Sequence, residues 1–167
     1  MRGRNTVLKS ALTALITLVC LAASGIGSAD TVKDWLSSHH EGVFHTADLD
    51  ACHLEHGGII HDCQLTFRTY GRLATDFSNI VLMPTWLNGN AEGLASAHYL
   101  GPDGIVDTDD YFVIAVNALG NGVSSSPSNN AQAPFPHFTI RDQVSLQYRL
   151  VTELLDIERL HAVVGAS

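Results

Sequence analysis

Three short segments of the chain are almost continuously apolar and rich in β-branched residues: NIVLM (79–83), YFVIAVN (111–117) and HAVVGA (161–166). Runs of this length without polar alternation predict strands buried on both faces, the pattern of a parallel sheet. The segment before the third run reads differently. Thr139-Ile140-Arg141-Asp142 has the form of a capping box, a threonine followed three residues later by an acid. Val144, Tyr148, Val151 and Leu155 then recur at spacings of four, three and four, which predicts one apolar helical face ending near Asp156. A capped amphipathic helix leading into a buried strand is half of a βαβ unit, so the expected class is α/β with a mostly parallel sheet.

The polar stretches between these runs are short, with one exception. NALGNGVSSSPSNNAQAPFP (117–136) is twenty residues of turn-forming chemistry, too long for an ordinary connection and therefore either functional or a disordered insertion. No internal repeat and no second domain are visible. Upstream, Cys52 and Cys63 enclose HLEHGGIIHD. A two-residue turn at Gly57-Gly58 would set the cysteines opposite each other on a hairpin. They would then form a hydrogen-bonded pair, whose side chains sit far apart, so a disulfide between them calls for a slip or a bulge.

The N-terminus changes the picture of the compartment. Arg2, Arg4 and Lys9 precede an apolar stretch at 11–23, and SGIGSA then offers a cleavage site after Ala29, the plan of a secretory signal peptide over 1–29. Thirteen residues fall short of the about 20 needed to span a bilayer, so no stable membrane anchor is expected. The expected location is secreted or periplasmic, an oxidising setting that favours the Cys52–Cys63 disulfide over two free thiols. Residues 30–167 then form the folded part, with six basic against seventeen acidic side chains and a net charge of −11. Such a surface repels phosphate backbones, and no nucleic-acid partner is expected.

Candidate chemistry concentrates at the end of the third run. Gly165-Ala166-Ser167 follows an apolar strand and supplies the first three positions of G-x-S-x-G, in which small neighbours let a sharp turn expose a nucleophilic hydroxyl. A serine of this kind needs backbone donors for the developing oxyanion, and the loop leaving the first run, PTWLNGN, is placed to offer one. Other groupings carry less. His53, His56 and His61 lack a further convergent ligand. Asp103, Asp107, Asp109 and Asp110 lack the order of a calcium loop. No metal and no cofactor are expected. Arg141, in the first turn of the helix, reads as a surface or loop-tethering residue. His161 begins a buried strand and is not assigned as a base.

Taken in order, NIVLMPTWLNGNA, DTDDYFVIAVNALGNGVSSSPS, FPHFTIRDQVSLQYRLV and LHAVVGAS resemble the homoserine O-acetyltransferase family of α/β-hydrolases, over about residues 65–167, with FRTYGRL fitting the family's first-strand region. The resemblance implies an N-terminal part of an α/β-hydrolase fold, with Ser167 as acyl-accepting nucleophile and Leu87 giving a backbone N–H to the oxyanion hole. The second donor would be residue 168, and the triad acid and histidine would follow the serine in chain order. On that reading the chain is cut at the nucleophile elbow, and this 167-residue form is expected to be inactive and, with an open sheet edge, prone to aggregate.

Where typical acetyltransferases carry ALTG, this chain has WLNG, and their glycine-rich stretch after the next strand appears as LGNGVSSSPS. Both departures imply a divergent branch. Acetyl-CoA is cytosolic, so an exported member is expected to pass an acyl group from a small-molecule ester to water or another acceptor. The alternative is a self-contained, non-catalytic exported binding module that uses the 117–136 loop. The sequence does not address the oligomeric state.

Overall fold

The computed structural model describes Trp35 and residues 38–165. The signal-peptide segment and Ser167 lie outside the described residues. The elements run β1 (His39–Asp48), β2 (Ala51–His53), β3 (Ile59–His61), β4 (Gln64–Arg72), β5 (Ile80–Pro84), α1 (Ala91–Ser96), β6 (Leu100–Gly101), β7 (Val106–Asp107), β8 (Phe112–Val116), α2 (Ile140–Arg149) and β9 (Ala162–Val163). The main sheet has the order β1-β4-β8-β5-β9. Its β1–β4 and β4–β8 pairs are antiparallel, while β5 pairs in parallel with β8 and with β9.

The three apolar runs thus form the parallel half, but the third is not buried on both faces as its composition predicts: β9 ends the sheet order, with Ala162 partly buried and Val163 63% exposed. In β5 and β8 alternate side chains serve two cores. Ile80, Leu82, Phe112, Ile114 and Val116 face one layer, which holds Leu146, Leu150 and Leu155 from the α2 side. Val81, Met83, Val113 and Ala115 face the other, which holds Ala91 and Leu94 of α1. Every residue of β8 is buried, as expected for the central strand with apolar groups on both faces.

Thr139 caps α2 through a complete capping box: its hydroxyl accepts from the Asp142 N–H, and the Asp142 carboxylate accepts from the Thr139 N–H. The helix does not continue regularly to Asp156. It passes into a π-helical turn over Leu150–Leu154, in which the Leu155 N–H donates to the Leu150 carbonyl. Asp156 is left-handed at φ 52°.

The apolar face also differs from the one the spacing predicts. Val151 and Leu155 are buried, but Val144 and Tyr148 are 59% and 67% exposed, and the core contacts come from Leu146 and Leu150 instead. The wide turn adds a residue to its circuit, so a stripe traced at constant helical period across it joins an outer face to an inner one.

The cysteine hairpin also has another register. Cys52 pairs with Ile60, and the connection is the five-residue segment 54–58, not a two-residue turn at Gly57-Gly58. Asp50 and Asp62, left-handed at φ 56° and 48°, kink the long hairpin made by β1–β2 and β3–β4. Across the kink Cys52 and Cys63 form a disulfide with a Cα–Cα distance of 5.7 Å, and both are fully buried.

The 117–136 loop is ordered, and its hydrogen bonds show why. Ser124 Oγ accepts from the Thr66 N–H and Ser125 Oγ from the Gln64 N–H, while the Ser125 N–H donates to the Gln64 carbonyl. Further on, Gln132 accepts from the His61 N–H and donates to the Ile59 carbonyl, completing the free edge of β3.

Candidate active site

Parallel strands bring their carboxyl ends to one edge of a sheet, where open α/β folds bind ligands. Here that edge collects the turn 85–90 after β5, the loop that follows β8, and the end of β9, which runs on to Gly165. The turn comes from a strand exit at Pro84 and from Asn90, whose side chain accepts from the Gly93 N–H and starts α1.

The turn is held at both ends by the neighbouring loop. At its start, the Thr85 N–H donates to the Val116 carbonyl (2.9 Å) and Thr85 Oγ1 accepts from the Ala118 N–H (3.1 Å). At its end, the Ala91 N–H donates to Asn117 Oδ1 (2.8 Å). Asn117 is 2% exposed, and its Nδ2 donates to Thr66 Oγ1 (2.9 Å). Between these points the Gly89 N–H donates to the Trp86 carbonyl (3.1 Å).

That last bond fixes the direction of Leu87. The Trp86 carbonyl and the Leu87 N–H belong to one trans peptide, so a carbonyl turned into the loop points the N–H the opposite way. Leu87 is 71% exposed, and no acceptor among the described residues takes its N–H. The turn thus presents the Leu87 N–H as an outward backbone donor at the carboxyl edge of the sheet. Preorganised donors of this kind stabilise developing negative charge without reorganising.

His161 sits at the other end of the strands. Its backbone N–H donates to the Ile80 carbonyl, its Nδ1–H donates to the Ser78 carbonyl (3.2 Å), and its ring lies 5.0 Å from that of Tyr111. Arg141 is drawn to the hairpin, 3.6 Å from Glu55, and not to the strand ends. The acidic stretch before β8 folds on itself, the Asp109 N–H donating to Asp107 Oδ1 and the Tyr111 N–H to the Asp107 carbonyl. Among the described residues no group of three metal-capable side chains converges. Ser167 lies outside the described residues, and its geometry is not part of this site as described.

Sequence reasoning passed over Thr85, Asn117 and Asn121, which bracket the turn. An asparagine closing a fully apolar strand, and another set between two glycines, were the available signals.

No family model matches the chain. Among curated relatives, an ethyl acetate hydrolase of Pseudomonas veronii is 35% identical, over 81% of this chain and 40% of its own length. A homoserine O-acetyltransferase of Sulfurimonas autotrophica is 35% identical, over 69% of this chain and 36% of its own. Among solved structures, an acetylester hydrolase of Corynebacterium glutamicum superposes with a TM-score of 0.69 at 40% identity, over 75% of this chain and 37% of that one. The chain spans about two-fifths of the length of the curated relatives it matches.

Proposed function

Because the chain belongs to the α/β-hydrolase family that holds homoserine O-acetyltransferases and acetyl esterases, we propose that it carries the nucleophile and first oxyanion donor of an acyl-transfer site acting on small esters. The observation that carries this reading is the outward Leu87 N–H in a braced turn, at the edge where β9 leads toward Gly165-Ala166-Ser167.

In the proposed reaction the Ser167 hydroxyl adds to the ester carbonyl and its proton passes to a base. The Leu87 N–H donates to the resulting oxyanion, and collapse expels the alcohol, which takes up the proton, to leave an acyl-serine. Water then adds to the acyl carbon, and the carboxylic acid is released with the serine hydroxyl restored. The triad acid and histidine are assigned to positions C-terminal to Ser167, in the order usual for this fold. We also assign the protein to an exported location, on the strength of the basic and apolar segments at 2–23 and of the disulfide. Water as acceptor suits a compartment without acetyl-CoA, and the named substrate of the Pseudomonas relative, ethyl acetate, indicates short acyl esters as the first to test.

The test is labelling with a fluorophosphonate probe. A family-length form of the protein is expected to label at Ser167 and to lose the label on Ser167→Ala, and the 167-residue form is expected not to label. An unlabelled family-length protein would favour the binding-module alternative.

A further inference from the structure

We propose that Asn121 is a positioning residue for the oxyanion turn; this deepens the acyl-transfer reading above and rests on it. The turn 85–90 is fixed at its ends by Thr85 and Ala91, but its direction at Leu87 depends on where Gly89 lies, because the Gly89 N–H holds the Trp86 carbonyl. Gly89 is itself held from outside the turn. Its carbonyl accepts from Asn121 Nδ2 at 3.0 Å, a bond that joins positions 32 apart in sequence.

The other end of the same amide is anchored in its own loop. Asn121 Oδ1 accepts from the Val123 N–H (2.9 Å) and the Ser124 N–H (3.2 Å). An oxygen facing two donors and a nitrogen facing a carbonyl leave one orientation for the amide. Ser124 is in turn buried and bonded to Thr66 of β4, so the brace runs from the sheet through Ser124 and Asn121 to Gly89. Gly120 and Gly122, left-handed at φ 79° and 87°, make the tight loop that lifts Asn121 toward the turn.

Trp86 closes the opposite side. A Cβ on Gly89 would stand 2.2 Å from the indole, so Gly89 is seated between the Trp86 ring and the Asn121 amide. Two contacts therefore fix Gly89, Gly89 fixes the Trp86 carbonyl, and the planar trans peptide transmits that orientation to the Leu87 N–H. Asn121 itself touches neither substrate nor nucleophile in this scheme; it acts through Gly89.

The discriminating variant is Asn121→Asp. It keeps an oxygen for Val123 and Ser124 but puts a second oxygen against the Gly89 carbonyl, so the loop stays anchored while the turn loses its brace. Removing an oxyanion donor outright costs on the order of 100- to 1,000-fold in kcat, and a misdirected donor is expected to cost about 10- to 100-fold.

In a family-length form, kcat for p-nitrophenyl acetate is expected to fall by about that factor with KM within about threefold. Melting temperature should hold within a few degrees, and amide exchange at Leu87 and Gly89 should speed up. A kcat within about twofold of the parent, with the parent labelled at Ser167, would overturn the role of Asn121 alone. Loss of kcat together with a collapse of the melting temperature would also overturn it, because a scaffold defect accounts for both. A parent that neither labels nor hydrolyses the ester would overturn the acyl-transfer reading, and the role of Asn121 with it.

Discussion

Replacing Asp142 by alanine removes a carboxylate that joins two parts of the chain. Asp142 is 4% exposed; its Oδ2 accepts from the Thr139 N–H (2.8 Å) and hydroxyl (3.1 Å), and its Oδ1 accepts from the Glu55 N–H (2.7 Å) at the tip of the disulfide hairpin. Loss of the capping interaction costs about 1 kcal/mol. Loss of a charge-assisted bond that leaves a part-buried N–H unpaired costs about 2 kcal/mol more. The unfolding free energy of Asp142→Ala should therefore fall by about 3 kcal/mol, a large part of the 5–15 kcal/mol that domains possess. Asp142→Asn keeps one carbonyl oxygen and should lose about half as much.

Urea titration followed by tryptophan fluorescence measures this directly, and the slope should be unchanged. The pH dependence supplies an independent arm. Burial acts to raise the Asp142 pKa and is the largest single influence, but bonds from the Glu55 and Thr139 N–H groups and the Thr139 hydroxyl outweigh it, and the net shift is downward from 3.8. A folded-state pKa below the unfolded one contributes stability that is complete above the unfolded value and disappears as pH falls through the folded value. The gap between parent and Asp142→Asn should thus be full at neutral pH and narrow as pH falls below 3.8. A loss below about 1 kcal/mol in Asp142→Ala, or a gap that does not change with pH, would refute the reasoning.

Burial, with the neighbouring His40 adding to it, holds the His45 pKa down to about 4 from 6.5, and His40 and His45 share the Thr69 hydroxyl at 2.6 and 2.9 Å. Between those pH values the unfolded chain binds a proton that the folded chain does not, so stability should decline as pH drops from 6.5 toward 4. A His45 ring titration by NMR with its midpoint above 6 would contradict this. Gly71 is left-handed at φ 78°, and a Cβ there would stand 2.2 Å from the Tyr111 carbonyl oxygen and 2.7 Å from that of Thr108. Gly71→Ala should cost more than about 3 kcal/mol, and a melting temperature equal to the parent's would count against it. On α2, Tyr148→Gln should change stability by less than about 0.5 kcal/mol. Leu150→Ala, just beyond it, should cost about 2–5 kcal/mol, and the reverse ranking would show the buried face to be misassigned.

The parallel half of the sheet was legible because its strands are apolar on both faces, a pattern that needs no knowledge of the partner. The capping box was legible because Thr139 and Asp142 recognise each other within one turn. What failed depended on backbone irregularity. The π-helical turn at Leu150–Leu154 changes the helical count between Val151 and Leu155, and nothing in the composition of LVTEL announces it. The left-handed aspartates at 50 and 62 kink the hairpin without changing its register, which runs unshifted from Asp48–Gln64 to Ala51–His61; it is the five-residue connection 54–58 that sets the pairing, and nothing in HLEHGGIIHD marks its length. At the candidate site, the WLNG turn could be picked out from its place after an apolar strand. Its braces could not, since Asn117 and Asn121 look like ordinary turn residues until Ala91 and Gly89 are brought beside them.

Those braces explain why a loop of twenty residues is ordered at all. At the carboxyl edge the strands end and their ladder bonds end with them, yet Thr66, Asn117 and Ser124 are buried there at 4%, 2% and 0% exposure. Buried polar groups are costly unless paired, and a partly satisfied network is worse than none. Among the described residues no buried side-chain nitrogen or oxygen lacks a partner, so the loop and the turn satisfy each other. Ser124 Oγ donates to the Asn117 carbonyl and accepts from Thr66, while Asn117 spans from Thr66 to the first N–H of α1. Neither piece can take its form without the other. The rigidity of the turn at Leu87 is therefore a property of side chains contributed by β4 and the 117–126 segment, and substitutions at Asn117 or Ser124 should disturb the turn although neither touches Leu87.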